Sequence, residues 1–122
     1  MRKKIMVVDD SRFIVRAVKK LLESENFNVV PVYDGEECLS ILEKEKPDLI
    51  LLDILMHMDG INVLKTIMNS YSQAKVIMFT VMGQEKTIRE CKKMGAVGYI
   101  TKPFDNADLV RKVKNVLNEN VA

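Results

Sequence analysis

No apolar run in this 122-residue sequence approaches the roughly 18–20 residues that a bilayer span needs. The basic start, Met1-Arg-Lys-Lys, leads into Ile5–Val8 and then two aspartates, too short an apolar stretch for a secretory leader. A cytoplasmic chain with no membrane partner is therefore expected. Cysteine is scarce. Cys38 and Cys91 are the only two, each on the apolar stripe of a predicted helix, so buried free thiols are expected instead of a disulfide. The net charge is only +2, which argues against direct binding of nucleic acid. Neither G-x-G-x-x-G nor G-x-x-x-x-G-K-[ST] occurs, which removes the common phosphate-cradling loops of nucleotide and flavin modules. No linker, low-complexity tract or repeat divides the chain, so residues 1–122 read as one domain.

What is present is 48% hydrophobic and 30% charged residues, the balance of a globular protein with a core. Short apolar or β-branched runs recur at Lys4–Asp9, Asn28–Val32, Asp48–Asp53, Lys75–Thr80 and Gly98–Thr101. Several are continuously apolar, as expected of parallel strands covered on both faces. Helical spacing fills the gaps: Ile14, Ala17, Val18, Leu21 and Leu22; then Leu39, Ile41 and Leu42; then Ile61, Leu64, Ile67 and Met68. Ile88, Cys91 and Met94 suggest a fourth helix, and Leu109, Val110, Val113, Val116 and Leu117 a fifth. Asp105 is placed to cap the last helix and Gly95 to stop the fourth. Strand and helix alternating five times predict an α/β three-layer sandwich around a parallel five-stranded sheet.

In an open parallel sheet, ligands bind beyond the carboxyl ends of the strands. Those predicted ends carry Asp9 and Asp10, Asp53, Thr80, and Thr101-Lys102-Pro103. Carboxylates this close repel one another and must share protons or a cation. Oxygen ligands without His or Cys favour Mg²⁺. A carboxylate beside that ion can attack phosphorus and form an aspartyl phosphate, while an ammonium offsets charge on the transferring group. Singly, Asp9 and Asp10 read equally well as helix caps, Asp53 as a loop carboxylate, and Thr80 and Lys102 as nothing in particular. Their joint placement at four strand ends favours the functional reading.

At this point the sequence resembles a known family. Val7-Val-Asp-Asp-Ser, Leu51-Leu-Asp-Ile, Met58-Asp-Gly, Phe79-Thr and Tyr99-Ile-Thr-Lys-Pro-Phe look like the ordered signatures of response-regulator receiver domains, from Lys4 to about Asn118. The resemblance implies a flavodoxin-like (βα)5 fold of strand order 2-1-3-4-5. It implies that Asp53 accepts a phosphoryl group from a histidine kinase, making the chain a phosphoacceptor signalling domain, not an enzyme in its own right. It implies Mg²⁺ held by Asp9, Asp10, Asp53 and the backbone carbonyl of Leu55. Thr80 and Lys102 then assist the phosphoryl group, Thr80 and Tyr99 act as switch residues, and Lys102-Pro103 resembles the family's cis bond. The output surface is expected on the fourth helix, fifth strand and fifth helix, meeting a downstream protein, in a monomer or a dimer on activation.

Departures from the family pattern carry their own expectations. The loop Ile54-Leu-Met-His-Met-Asp-Gly is a residue short and lacks the usual proline, and His57 is expected to be an exposed loop residue. Val81 replaces a smaller residue beside the site. Leu55 and Met82 are apolar at positions that tune phosphoryl lifetime in the family, so slow autodephosphorylation is expected. A haloacid-dehalogenase-type phosphatase would carry a second acid where Leu55 stands. Because the chain ends about a helix after Pro103, three outputs are open: a chemotaxis-type single-domain regulator, a phosphorelay intermediate, or a receiver excised from a longer DNA-binding regulator. Tyr99 and Val81-Met-Gly-Gln favour the chemotaxis type. A pseudo-receiver that is never phosphorylated is the remaining alternative.

Overall fold

Every short apolar run forms a strand in the computed structural model, which describes residues 2–118. Met1 and residues 119–122, the ends of the expected single-domain span, lie outside the described residues. The elements are β1 (Lys4–Val8), α1 (Arg12–Ser24), β2 (Asn28–Val32), α2 (Gly35–Glu45), β3 (Leu49–Asp53), α3 (Gly60–Ser70), β4 (Val76–Val81), α4 (Glu85–Met94), β5 (Gly98–Lys102) and α5 (Asn106–Val116). All strand pairs are parallel, in the order β2-β1-β3-β4-β5, which is the flavodoxin-like arrangement. Pro31 lies in β2, an edge strand, where a missing N–H is tolerated.

Alternation along the strands divides the core. Met6, Val8, Ile50, Leu52 and Met78 pack beneath α2, α3 and α4, against Leu42, Leu64 and Cys91. Ile5, Val7, Leu49, Leu51 and Phe79 pack beneath α1 and α5, against Val18, Leu22 and Val113. The central strand β3 is buried at all five positions, and each such Leu or Ile contributes about 1.5–3 kcal/mol by leaving water. Among the methionines, Met6 and Met78 are core and Met68 and Met94 pack against it.

Local chemistry sets the helix ends. Ser11, Asp34, Asp59 and Asp105 each accept a backbone N–H in the first turn of their helices. Gly95 ends α4 in the left-handed region at φ 118°. One stripe differs from expectation: in α1 the buried residues are Val15, Val18 and Leu22, and Ala17 faces solvent. A one-methyl side chain has little apolar area to bury, so helix rotation follows Val15. Cys38 and Cys91 are free and buried. Burial, with Asp34 and Glu37 nearby, pushes the Cys38 thiol up to about 12, so it is a neutral packing group.

Candidate functional site

The strand order makes β1, β3, β4 and β5 consecutive neighbours, and their carboxyl ends deliver the expected residues to one edge. Asp9 and Asp10 follow β1, Asp53 closes β3, Thr80 lies near the end of β4, and Lys102 closes β5. One carboxylate oxygen from each of Asp9, Asp10 and Asp53 lies within 4.8 Å of the others. Among the described residues this is the one grouping of three or more His, Cys, Asp or Glu side chains close enough to share an ion. Asp9 and Asp53 are buried, whereas Asp10 faces solvent.

Asp9 does not cap α1, since Ser11 has that place. Its Oδ1 accepts the Ser11 N–H at 2.9 Å, and its Oδ2 accepts from Lys102 Nζ at 2.5 Å. The same ammonium lies 3.5 Å from Asp53 Oδ1. Lys102 therefore joins two carboxylates from different strands. Its ammonium also lies 5.4 Å from the centre of the Phe79 ring, which stacks on Phe104. The Lys102-Pro103 bond is cis.

Asp53 is the perturbed acid. Burial foremost, and then the charge of Asp9, raise its pKa from 3.8 to about 6, while Lys102 and the Leu55 N–H act in the opposite sense. That N–H donates to Asp53 Oδ1 at 3.2 Å. A donor set of carboxylate oxygens without thiolate or imidazole suits a hard divalent cation such as Mg²⁺. The Asp9 repulsion, which adds to burial in raising Asp53, is repulsion such an ion would relieve. The residues fit the cation.

The structure brings Asp9, Asp10, Asp53 and Lys102 together, with the buried Thr80 beside them on the neighbouring strand. The Thr80 hydroxyl donates to the Val81 carbonyl at 3.2 Å. Tyr99 is not part of this cluster. It pairs with Met78, three residues before Lys102 and roughly 10 Å back along β5. His57 is exposed, as its place in a short loop suggested. Leu55, Val81 and Met82 are 57%, 37% and 83% exposed, so the rim of the site is apolar.

One residue escaped the sequence reading except as part of a motif. A Cβ at Gly60 would stand 2.2 Å from the Asp53 carbonyl oxygen and 2.7 Å from Ile54 Cα. The shortened loop returns so tightly beneath Asp53 that only glycine fits. The loop's missing residue was the available signal.

Comparison with known proteins agrees with this geometry. A model of the response regulator receiver domain matches residues 5–114. The chain is 38% identical over 118 residues to the transcriptional regulatory protein CpxR of Escherichia coli, a match that takes in 96% of this chain and 50% of that protein. It thus spans about half the length of that relative. It is 35% identical over 118 residues to the chemotaxis protein CheY of Halobacterium salinarum, covering 96% of this chain and 98% of that one. Among solved structures, a chain of the CheX-CheY-BeF3-Mg+2 complex from Borrelia burgdorferi superposes with a TM-score of 0.89 at 35% identity, covering 94% of this chain and 89% of that chain.

Proposed function

This chain belongs to the response-regulator receiver family, and from that premise we propose that Asp53 is its phosphoacceptor, charged by a histidine kinase in a Mg²⁺-dependent reaction. Receiver domains are signalling domains, not members of a catalytic enzyme family, and they interact with histidine kinases and with downstream effectors. The observation that carries the proposal is the meeting of three carboxylates with Lys102 at one sheet edge. An Asp53 oxygen forms the new O–P bond as the N–P bond of a phosphohistidine breaks, and that bond's electron pair stays on the imidazole nitrogen. When bound, Mg²⁺ supplies positive charge that lets Asp9, Asp10 and Asp53 coexist and offsets charge on the phosphoryl oxygens, with the Leu55 carbonyl as a further ligand.

The chain's own groups do the rest. Lys102, 3.5 Å from Asp53, pairs with the phosphoryl oxygens once their charge competes with Asp9 for it. The Leu55 N–H holds Asp53 in orientation. Thr80 turns its hydroxyl from Val81 toward the phosphoryl group, Tyr99 moves with it, and the population shifts toward an altered α4–β5–α5 face. The output we favour is the chemotaxis type, supported by Tyr99, Val81–Gln84 and the likeness to CheY over 98% of that protein's length. The likeness to half of CpxR favours the alternative, a receiver acting with a DNA-binding part.

Incubation with acetyl phosphate and Mg²⁺, read by mass spectrometry, tests the acceptor. A phosphoryl adduct on Asp53 is expected, absent in Asp53→Asn and absent with chelator. No adduct on the wild-type chain leaves an interaction domain that is never phosphorylated.

A further inference from the structure

The chain has eight methionines, and burial sorts them. Met6 and Met78 are 0% and 1% exposed in the core, and Met56, Met58, Met68 and Met94 are partly buried against it. Among the described residues Met82 alone stands in solvent, at 83% exposure. It follows Val81, the last residue of β4, and precedes Gly83, whose φ of 90° lies in the left-handed region. No atom lies within 4 Å of where a Gly83 side chain would begin, so the turn carries Met82 out into open space.

That space adjoins the phosphoacceptor edge. Asp53 pairs with Phe79 on the neighbouring strand. Leu55 and Met82, two and three residues further on, therefore leave the sheet in the loops that follow β3 and β4. Leu55 is hydrocarbon and inert to oxidants, whereas a thioether is not. Neither thiol competes with it. Cys38 and Cys91 are buried, and burial raises both pKa values, so neither presents a thiolate.

We infer that Met82 is a reversible oxidation site, taking an oxygen atom from a hydroperoxide, and that its sulfoxide shortens the life of the phosphorylated state. The inference rests on the reading of Asp53 as phosphoacceptor and adds a means of regulating it. In the step itself the Met82 sulfur attacks one oxygen of the peroxide. An S–O bond forms, the O–O bond breaks, and the departing oxygen keeps the electron pair, takes up the proton and leaves as water or an alcohol. Sulfur loses two electrons and the peroxide gains them. A thioether is a weak acceptor, but the sulfoxide oxygen is a strong one. Oxidation therefore puts on the apolar rim a group that orients water toward the phosphoryl group. Methionine sulfoxide reductases remove the oxygen again.

Treating the full chain with dilute hydrogen peroxide and mapping its peptides by mass spectrometry tests the site. One added oxygen is expected on Met82 before any other methionine or either cysteine, with the thermal melt unchanged. The phosphoryl half-life after acetyl phosphate and Mg²⁺ labelling tests the consequence. It should fall roughly fivefold on oxidation, the effect of one ordinary hydrogen bond, and return after methionine sulfoxide reductase. Met82→Leu, which has no sulfur, should show one half-life before and after peroxide. Met82→Gln, which carries a carbonyl oxygen on a chain of similar length, should show the shortened half-life without any peroxide. Oxygen appearing first on another residue overturns the proposal. So does a half-life that peroxide leaves unmoved, that the reductase does not restore, or that falls equally in Met82→Leu. If the untreated chain takes no adduct on Asp53, the phosphoacceptor reading and this one fall together. An adduct whose lifetime ignores Met82 oxidation removes this one alone.

Discussion

At Asp53, burial and the Asp9 carboxylate together push the pKa to about 6, and Lys102 and the Leu55 amide oppose them without cancelling them. The folded chain without metal therefore keeps this acid protonated to a higher pH than an ordinary carboxylate. A raised pKa means stability that is fully present below the ordinary value of 3.8 and lost as pH rises through about 6. Chelator-treated wild-type protein should accordingly lose roughly 2 kcal/mol more than Asp53→Asn between pH 4 and pH 7.5. Urea melts of both proteins across that range check it, and parallel pH profiles would count against it. The apolar rim belongs to the same scale. Leu55 and Met82 offer no hydrogen bond to orient an attacking water, so replacing both with polar residues should shorten the phosphoryl half-life roughly tenfold. Measured loss of label from phosphorylated protein reads this, and an unchanged half-life refutes it. At this scale the sequence named residues that the fold brings together at one sheet edge, and not how they touch. That Lys102 contacts Asp9 more closely than Asp53, at 2.5 against 3.5 Å, depends on side-chain packing and not on spacing.

Among the elements, β3 and the turn that leaves it decide most. Leu51 is fully buried within the sheet's central strand, and Leu51→Ala should cost about 2–5 kcal/mol by leaving a cavity. Gly60 controls the same strand from its other end. Gly60→Ala must displace backbone at Asp53 and Ile54, so it should lower both the denaturation midpoint and the rate of acetyl phosphate labelling. A variant with wild-type labelling would show that the loop yields elsewhere. Elements were well read from the sequence, because continuous apolar runs and helical spacing are local signals. α1 is the exception in detail: the spacing put Ala17 on the buried face and passed over Val15, and the larger side chain is the one buried.

The whole molecule couples metal, acid and fold. An ion that binds the folded site and not the unfolded chain stabilises it by mass action, about 2.7 kcal/mol at a hundred times its dissociation constant. Adding Mg²⁺ should raise the melting temperature of the wild-type protein and leave Asp53→Asn or Asp9→Asn nearly unmoved. Equal shifts in all three would place the ion elsewhere. Strand class, helix order and the acids awaiting one another at strand ends were determined by the sequence alone, since hydrophobic period and strand-end chemistry are carried by neighbouring residues. The resemblance already implied that β1, β3, β4 and β5 lie side by side; only the tertiary structure decided how deeply Asp53 is buried and that Lys102 joins it to Asp9. Those facts depend on contacts between residues up to 93 positions apart, such as Lys102 with Asp9, and chain closure over that distance leaves no local mark.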